Sequence, residues 1–287
     1  MQLPPQLHKR KPDTHKGDYG HLLILGGSPG LTGAVSLAAQ AALRAGCGLV
    51  TVGIPKSLNF IFEIKLTEVM SLPLAETKKS TLSQKAFKEL AEFLPKIDGI
   101  ALGCGGSRNS STQKFFLEVV EEIDKPLVVD ADGINALASN LKILKKRKAE
   151  ILILTPHLGE FSRLIKKDID YIKKRKKELA KEFAFEYNLI LILKGYRTII
   201  TDGKKLFENE TGNPGLATAG SGDVLTGIVA SFLVQKIEPF LSARIAAYLH
   251  GLAADLAVKE KTQASLIASD IIEYLPQAIK KLKYKPR

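Results

Sequence analysis

Asn213-Pro214-Gly215-Leu216-Ala217-Thr218-Ala219-Gly220-Ser221-Gly222-Asp223-Val224-Leu225-Thr226-Gly227 passes from a glycine-rich loop straight into an apolar helical pattern. Small residues ahead of a helix leave backbone N–H groups free to meet negative charge, such as that on a transferring phosphoryl group. Here those groups belong to Ala219, Gly220, Ser221 and Gly222. Asp223 then stands at the helix start as a carboxylate placed to take a proton from an attacking hydroxyl. The plainer reading of Asp223 is a helix N-cap.

Upstream of this segment the chain alternates between two kinds of pattern. Short β-branched or leucine-rich runs bounded by Gly, Pro or Asp occur at 21–25, 49–53, 99–102, 126–130, 151–155, 189–194 and 198–201, and each reads as a buried strand. Amphipathic or alanine-rich stretches at 34–45, 83–94, 112–123 and 170–187 read as helices between them. Downstream, helical patterns cover 224–234, 239–259 and 269–283. This alternation predicts an α/β fold with a mostly parallel sheet between two helical layers. With no linker or repeat in view, the expectation is one domain over 17–287 behind a Pro- and Lys-rich N-terminal arm, 1–16.

Composition narrows the function classes. The chain has 287 residues, 45% of them hydrophobic and 25% charged, which suits a globular protein with a large core. No apolar run reaches the span of a bilayer and the N-terminus lacks a signal-peptide pattern, so a cytoplasmic location without membrane association is expected. Cys47 and Cys104 are too few and too far apart for a disulfide framework or a zinc pair. The formal charge of +12 admits a polyanionic partner. No helix-turn-helix, RNA-binding or zinc signal accompanies it, so nucleic acid is not expected. The runs Lys145-Lys146-Arg147-Lys148 and Lys173-Lys174-Arg175-Lys176-Lys177 read as solvated helix faces.

Ligands of open α/β sheets sit at the carboxyl ends of strands, so the loops there carry the chemistry. The first loop, Gly26-Gly27-Ser28-Pro29-Gly30-Leu31-Thr32-Gly33-Ala34, is small enough to let backbone approach a phosphate or a flat ring. It is not a P-loop, and no Gly-x-Gly pair continues as a dinucleotide fingerprint. Asp130-Ala131-Asp132-Gly133-Ile134-Asn135 ends a strand with two carboxylates and an amide, suited to a magnesium shell or a polar substrate. Thr155-Pro156-His157-Leu158-Gly159-Glu160 places an imidazole and a carboxylate after the next strand. Lys194-Gly195-Tyr196-Arg197-Thr198 offers two cations and a hydroxyl to a phosphate, or is merely a hairpin turn.

Taken together these segments resemble the ribokinase-like superfamily. With Lys16-Gly17-Asp18-Tyr19-Gly20, Arg44-Ala45-Gly46-Cys47-Gly48, Tyr248-Leu249-His250-Gly251 and Ser265 to Asp270 they are similar, in order and over nearly the whole chain, to the NAD(P)H-hydrate dehydratase family. The resemblance implies that Ala34, Gly105, His157 and Asp223 contact the hydrated nicotinamide nucleotide. It implies that Lys194, Gly195, Tyr196, Arg197, Thr198 and Gly222 hold the adenine nucleotide. Magnesium is implied for that nucleotide, with Glu160 or Asp132 contacting it through water. The third family loop usually reads Gly-Pro-Gly-Leu-Gly. Here Gly103-Cys104-Gly105-Gly106-Ser107 stands in its place, and a looser turn is expected. His157 stands where many sugar and vitamin kinases of the superfamily carry Asn.

The activity so implied is a hydro-lyase reaction of metabolite repair. The S epimers of NADHX and NADPHX are dehydrated to NADH and NADPH through a phosphorylated intermediate, with ADP favoured over ATP as donor on the resemblance alone. The alternative is a small-molecule kinase of the same superfamily, of the vitamin-precursor type, which would release a stable phosphorylated product. Because the chain begins almost at the dehydratase motifs, it reads as the stand-alone form without an epimerase domain. The family also suggests a homotetramer.

Overall fold

A computed structural model describes residues 3, 4, 7 and 10–283, the last of these without its side chain. Nine strands form one sheet in the order β3-β2-β1-β4-β5-β6-β7-β8-β9. They are β1 (His21–Leu25), β2 (Leu49–Pro55), β3 (Met70–Leu74), β4 (Gly99–Leu102), β5 (Leu127–Val129), β6 (Leu152–Leu154), β7 (Ile190–Leu193), β8 (Ile199–Thr201) and β9 (Leu206–Glu208). All pairings from β3 through β7 are parallel, and β8 and β9 close that edge antiparallel.

The inner strands β4, β5, β6 and β7, and β1 from Leu22 on, read as unbroken apolar runs because both faces of the sheet are covered there, as parallel sheets require. Alternate residues point to opposite faces. Leu22 and Ile24 of β1 belong to one core, together with Val52, Ala101, Val128 and Ile153. Leu23 and Leu25 belong to the other, with Ile100, Leu102, Val129 and Leu154. The first core is roofed by α1 (Thr32–Arg44), α2 (Asn59–Lys65), α10 (Ser221–Val234), α11 (Pro239–Ala257) and α12 (Ala268–Lys283). The second is roofed by α3 (Ala86–Phe93), α4 (Ser110–Glu122), α5 (Ala131–Ser139), α6 (Ile143–Lys146), α7 (Leu158–Ile165), α8 (Ile169–Lys174) and α9 (Lys176–Glu186). The expected three-layer α/β/α architecture is present.

Several expectations need correction. The single helix anticipated over 170–187 is two, α8 and α9, because Arg175 leaves helical geometry at φ −124°. The edge strand β3 carries no alternating pattern, since only Leu74 of its five residues is buried. The short helices α2, α5, α6 and α7 follow strands or turns too closely to show a full period. The basic runs are not purely solvated faces. Arg147 is half-buried and donates to the carbonyls of Leu144, Tyr187 and Asn188, and Lys176 donates to those of Tyr196 and Arg197.

Of the N-terminal arm, residues 1, 2, 5, 6, 8 and 9 lie outside the described residues, as do 284–287 of the expected domain. Leu3 is buried in the first core, and Arg10 donates to Gly46 O at 2.8 Å. No described helix is long and apolar enough to cross a membrane.

Candidate active site

The sheet changes direction beside β1. The chain first lays β2 and β3 on one side of it, then returns to place β4 on the other. A crevice opens outside the carboxyl ends of strands at such a switch point. The loops after β1 and β4 meet there: Gly27 N donates to Cys104 O (3.0 Å) and the Ser28 hydroxyl to Gly105 O (2.8 Å). A side chain at Gly26 would lie 2.2 Å from Cys104 O, so only glycine permits this approach.

Despite its departure from the family pattern, the Gly103–Ser107 turn is not loose. Ser107 N donates to Asp132 Oδ2 (2.8 Å), and Gly106 N to Gly103 O (3.2 Å). Cys104, in the place of proline, is fully buried below Asp223. A Cβ built on Gly105 would come within 3.1 Å of Ala34 Cβ, so those two expected substrate contacts adjoin each other at the start of α1.

Helix α10 brings the glycine-rich loop over these strand ends. Its N-cap is Gly220, in left-handed geometry, so Asp223 is not the cap but stands in the first turn. The first turn of a helix has N–H groups without helical partners, and those of Gly222 and Asp223 lie in that turn. Burial, reinforced by the neighbouring Asp130 carboxylate, pushes the Asp223 carboxyl up to about 6. A carboxylate so poised remains charged at neutral pH yet is a far better base than a solvated aspartate.

Asp130 ends β5 and is almost completely buried. Its Oδ1 accepts from Lys194 Nζ at 2.7 Å and its Oδ2 from the Thr226 hydroxyl at 2.8 Å. Burial works against the charge of Lys194, but Asp130, Glu160 and Asp223 outweigh it and raise the ammonium above the ordinary lysine value.

His157 caps α7. Its Nδ1 accepts from Gly159 N (3.0 Å) and Glu160 N (3.2 Å), while Glu160 Oε2 accepts from His157 N (2.8 Å). Since Nδ1 is an acceptor, the neutral ring carries its proton on Nε2. The capping role leaves 55% of the side chain exposed, so it does not occupy the ring expected to contact substrate.

Lys194 and Gly222 converge beside Asp223, whereas the rest of the Lys194–Thr198 segment forms a rim. Tyr196 is 89% exposed, Arg197 pairs with Glu208 (3.0 Å), and Thr198 Oγ1 donates to Gly195 O (3.0 Å). Lys176 Nζ fastens this rim through Tyr196 O (3.0 Å) and Arg197 O (2.8 Å). A cleft of about 450 Å³ lies between the rim and the Lys173–Lys177 run.

Cys104, Asp130 and Asp223 bring three ligand atoms within 4.8 Å of one another. That set does not suit a resident magnesium ion, which demands oxygen ligands. Burial holds the Cys104 thiol protonated well above its usual range, and Asp130 is already engaged. Asp132 and Glu160 fit better. Asp132 accepts from Ser107 N and Asn135 Nδ2, Glu160 from His157 N, and carboxylate oxygens keep further lone pairs for the waters of an ion arriving with a nucleotide.

Sequence reasoning missed the pairing of Asp130 with Lys194, the contact of Cys104, and the parts played by Thr226, Lys176 and His250, whose Nε2 lies 2.9 Å from Ser221 O in the first turn of α10. Thr226 was the most accessible of these, lying one helical turn after Asp223. The others depend on contacts between distant segments.

Comparison with known proteins agrees with this geometry. The sequence pattern of the NAD(P)H-hydrate dehydratase family matches residues 22–277. The bifunctional NAD(P)H-hydrate repair enzyme of Moorella thermoacetica is 44% identical over 97% of this chain, which spans about half (52%) of that relative. The ADP-dependent (S)-NAD(P)H-hydrate dehydratase of Neisseria meningitidis serogroup B is 34% identical over 94% of this chain and 88% of its own length. The crystal structure of ADP/ATP-dependent NAD(P)H-hydrate dehydratase from Bacillus subtilis, co-crystallized with ATP/Mg2+, superimposes with a TM-score of 0.82 at 31% identity, covering 98% of this chain and 95% of that one.

Proposed function

The chain belongs to the NAD(P)H-hydrate dehydratase family, and on that premise we propose that it dehydrates the S epimers of NADHX and NADPHX with ADP as phosphoryl donor and ATP as an alternative. The observation that carries this reading is Asp223, a desolvated carboxylate in the first turn of α10 beside the Lys194 ammonium. Residues 17–287 act as one catalytic domain.

The chemistry follows from the leaving group. The hydrated ring carries a hydroxyl on the carbon next to its nitrogen, and hydroxide is a poor leaving group from that carbon in neutral water. Asp223 accepts the hydroxyl proton as that oxygen bonds to the terminal phosphorus of the nucleotide, and the bridging P–O bond breaks to release AMP from ADP, or ADP from ATP. The N–H groups from Ala219 to Gly222 stabilise the phosphoryl charge, that of Ser221 by exchanging its long 3.5 Å bond to Thr218 O for the phosphoryl oxygen. The ring nitrogen then expels phosphate, and loss of a ring proton restores NADH or NADPH. Ala34, Gly105 and His157 bind the nicotinamide end, and Lys194 to Thr198 with Gly222 bind the nucleotide.

Magnesium bound with the nucleotide would neutralise phosphate charge. Asp132 and Glu160 would receive its waters. Assembly as a homotetramer is part of the same reading, and exposed Phe60 and Ile64 on α2 with Met70 at the sheet edge offer an apolar face for it.

The test is incubation of the chain with NADHX, magnesium and either ADP or ATP, following NADH absorbance and free phosphate. Recovery of both supports the dehydratase. A stable phosphorylated product without NADH would identify a kinase instead, and no change with either nucleotide would sink both readings.

A further inference from the structure

Lys194 reaches Asp130 across the tops of three strands, β5, β6 and β7, and its backbone N–H is tied to Pro156 O at 2.8 Å on the way. Its ammonium has three N–H donors, and Asp130 Oδ1 is its hydrogen-bond acceptor among the described residues. The ammonium lies against α10: a Cβ built on Gly222 would be 3.2 Å from Nζ. Asp130 is itself fixed from the opposite side by the fully buried hydroxyl of Thr226, one helical turn beyond Asp223.

We propose, resting on the functional reading above, that Asp130 anchored by Thr226 is a positioning residue that holds the Lys194 ammonium against Gly222, where it meets the phosphoryl group in transfer. Two sources of positive potential then converge on one point. They are the N–H groups of the first turn of α10 and an ammonium fixed before substrate arrives.

The alternative is an ion pair kept for stability. A buried pair seldom contributes much to stability, because desolvation of both charges offsets their attraction. This pair is also placed against the first turn of α10, where the absence of a side chain at Gly222 lets the ammonium lie 3.2 Å from where a Cβ would stand, which packing alone does not require. During transfer the substrate oxygen bonds to the terminal phosphorus, the bridging P–O bond breaks with its electron pair going to the departing nucleotide, and the proton goes to Asp223. The ammonium shares its hydrogen bonds between Asp130 and the phosphoryl oxygens and gives up no proton.

The test compares the unmodified chain with Asp130→Asn, Thr226→Val and Thr226→Ser, measuring kcat, the KM for ADP and the melting temperature. Asp130→Asn strands a buried ammonium and risks poor folding, so the Thr226 pair is decisive. Thr226→Val is expected to lower kcat by about ten-fold with the KM for ADP changed less than about three-fold, since an ammonium displaced by a fraction of an ångström is misplaced for the transition state. Thr226→Ser is expected to recover most of that kcat. If Thr226→Val folds and keeps kcat within about two-fold, or if Thr226→Ser falls as far as Thr226→Val, the positioning role is overturned while the functional reading stands. Failure of the unmodified chain to regenerate NADH overturns both.

Discussion

His250 Nε2, on α11, lies 2.9 Å from the carbonyl oxygen of Ser221 and 3.3 Å from its hydroxyl, joining α11 to the first turn of α10. Burial holds this imidazole down at about 4, so it is neutral and donates from Nε2 to the carbonyl. The contact secures the helix end on which Asp223 and the N–H groups of the glycine-rich loop depend.

Replacing His250 therefore affects both rate and stability. His250→Ala is expected to reduce kcat by about ten-fold, because an unsecured helix start misplaces the donors aimed at the phosphoryl group. In the unfolded chain histidine titrates near its usual value, so below it the unfolded state binds a proton that the folded state refuses until about pH 4. Stability from this group is thus lost as pH falls. Urea unfolding of the unmodified chain and His250→Asn isolates the effect, and the difference between them should shift against the unmodified chain by up to about 2 kcal/mol between roughly pH 7 and pH 5.

The proposed role of Asp223 as general base predicts an acidic limb in the rate. Asp223 must be ionised to accept the hydroxyl proton, so kcat/KM should fall as pH drops through about 6 rather than through the ordinary aspartate range. Asp223→Asn should lower kcat by about a hundredfold or more while ADP still binds. Full activity in that variant with unchanged binding would remove Asp223 from the mechanism.

The same carboxylate destabilises the resting fold. Its folded pKa lies above the unfolded one, so the folded state keeps a proton that the unfolded state loses as pH rises, and the cost is complete above about 6. Asp223→Asn should accordingly melt higher than the unmodified chain at pH 8, by at most about 3 kcal/mol, and the advantage should fade toward about pH 4. Equal melting curves at both pH values would contradict the desolvation of this site.

Two glycines of α10 should respond differently to alanine. At Gly227 the new methyl would lie 2.1 Å from the backbone oxygen of Ala38 on α1, which cannot move aside, so Gly227→Ala should cost about 1–3 kcal/mol or more in denaturant unfolding. At Gly222 the obstacle is the end of the Lys194 side chain at 3.2 Å. Gly222→Ala should fold almost normally, within about 1 kcal/mol, yet lose phosphoryl transfer because the ammonium is pushed from its place.

Lys176 offers a test of the nucleotide rim. Its hydrogen bonds to Tyr196 O and Arg197 O hold a turn in which Arg197 has a φ of +50°. Lys176→Met should raise the KM for ADP by about five-fold with kcat at saturation little changed, since in the proposed function the rim binds the nucleotide away from the reacting atoms. Steady-state kinetics with varied ADP checks this.

The legible parts of the protein were those whose signal is local. The run His21–Leu25 is buried at every position because its strand is covered on both faces, and its apolar stretch Leu22–Leu25, too short for a helix and bounded by glycines, reads as a strand. The edge strand Met70–Leu74 was hidden for the opposite reason, since its pairing to Thr51–Pro55 stabilises it while its side chains stay largely exposed. In the site, the loop around Gly220 and Asp223 was legible because glycines before an apolar helix have few other uses. The split of the helix at Arg175 and the capture of Lys176 by a loop twenty residues away were not, since neither changes the local hydrophobic pattern.

The sequence by itself determined the α/β alternation, the loops that follow each strand, and the identity of Asp223 as the acid group at a helix start, because periodicity and turn chemistry act between near neighbours. Only the tertiary structure decided what surrounds that group. The Asp130 carboxylate that helps raise its pKa, the Cys104 thiol below it and the His250 that secures its helix come from β5, the loop after β4 and α11, which meet where the sheet order reverses. Desolvation and charge coupling depend on distance in space, and strand order sets that distance. A linear pattern of residues does not carry it.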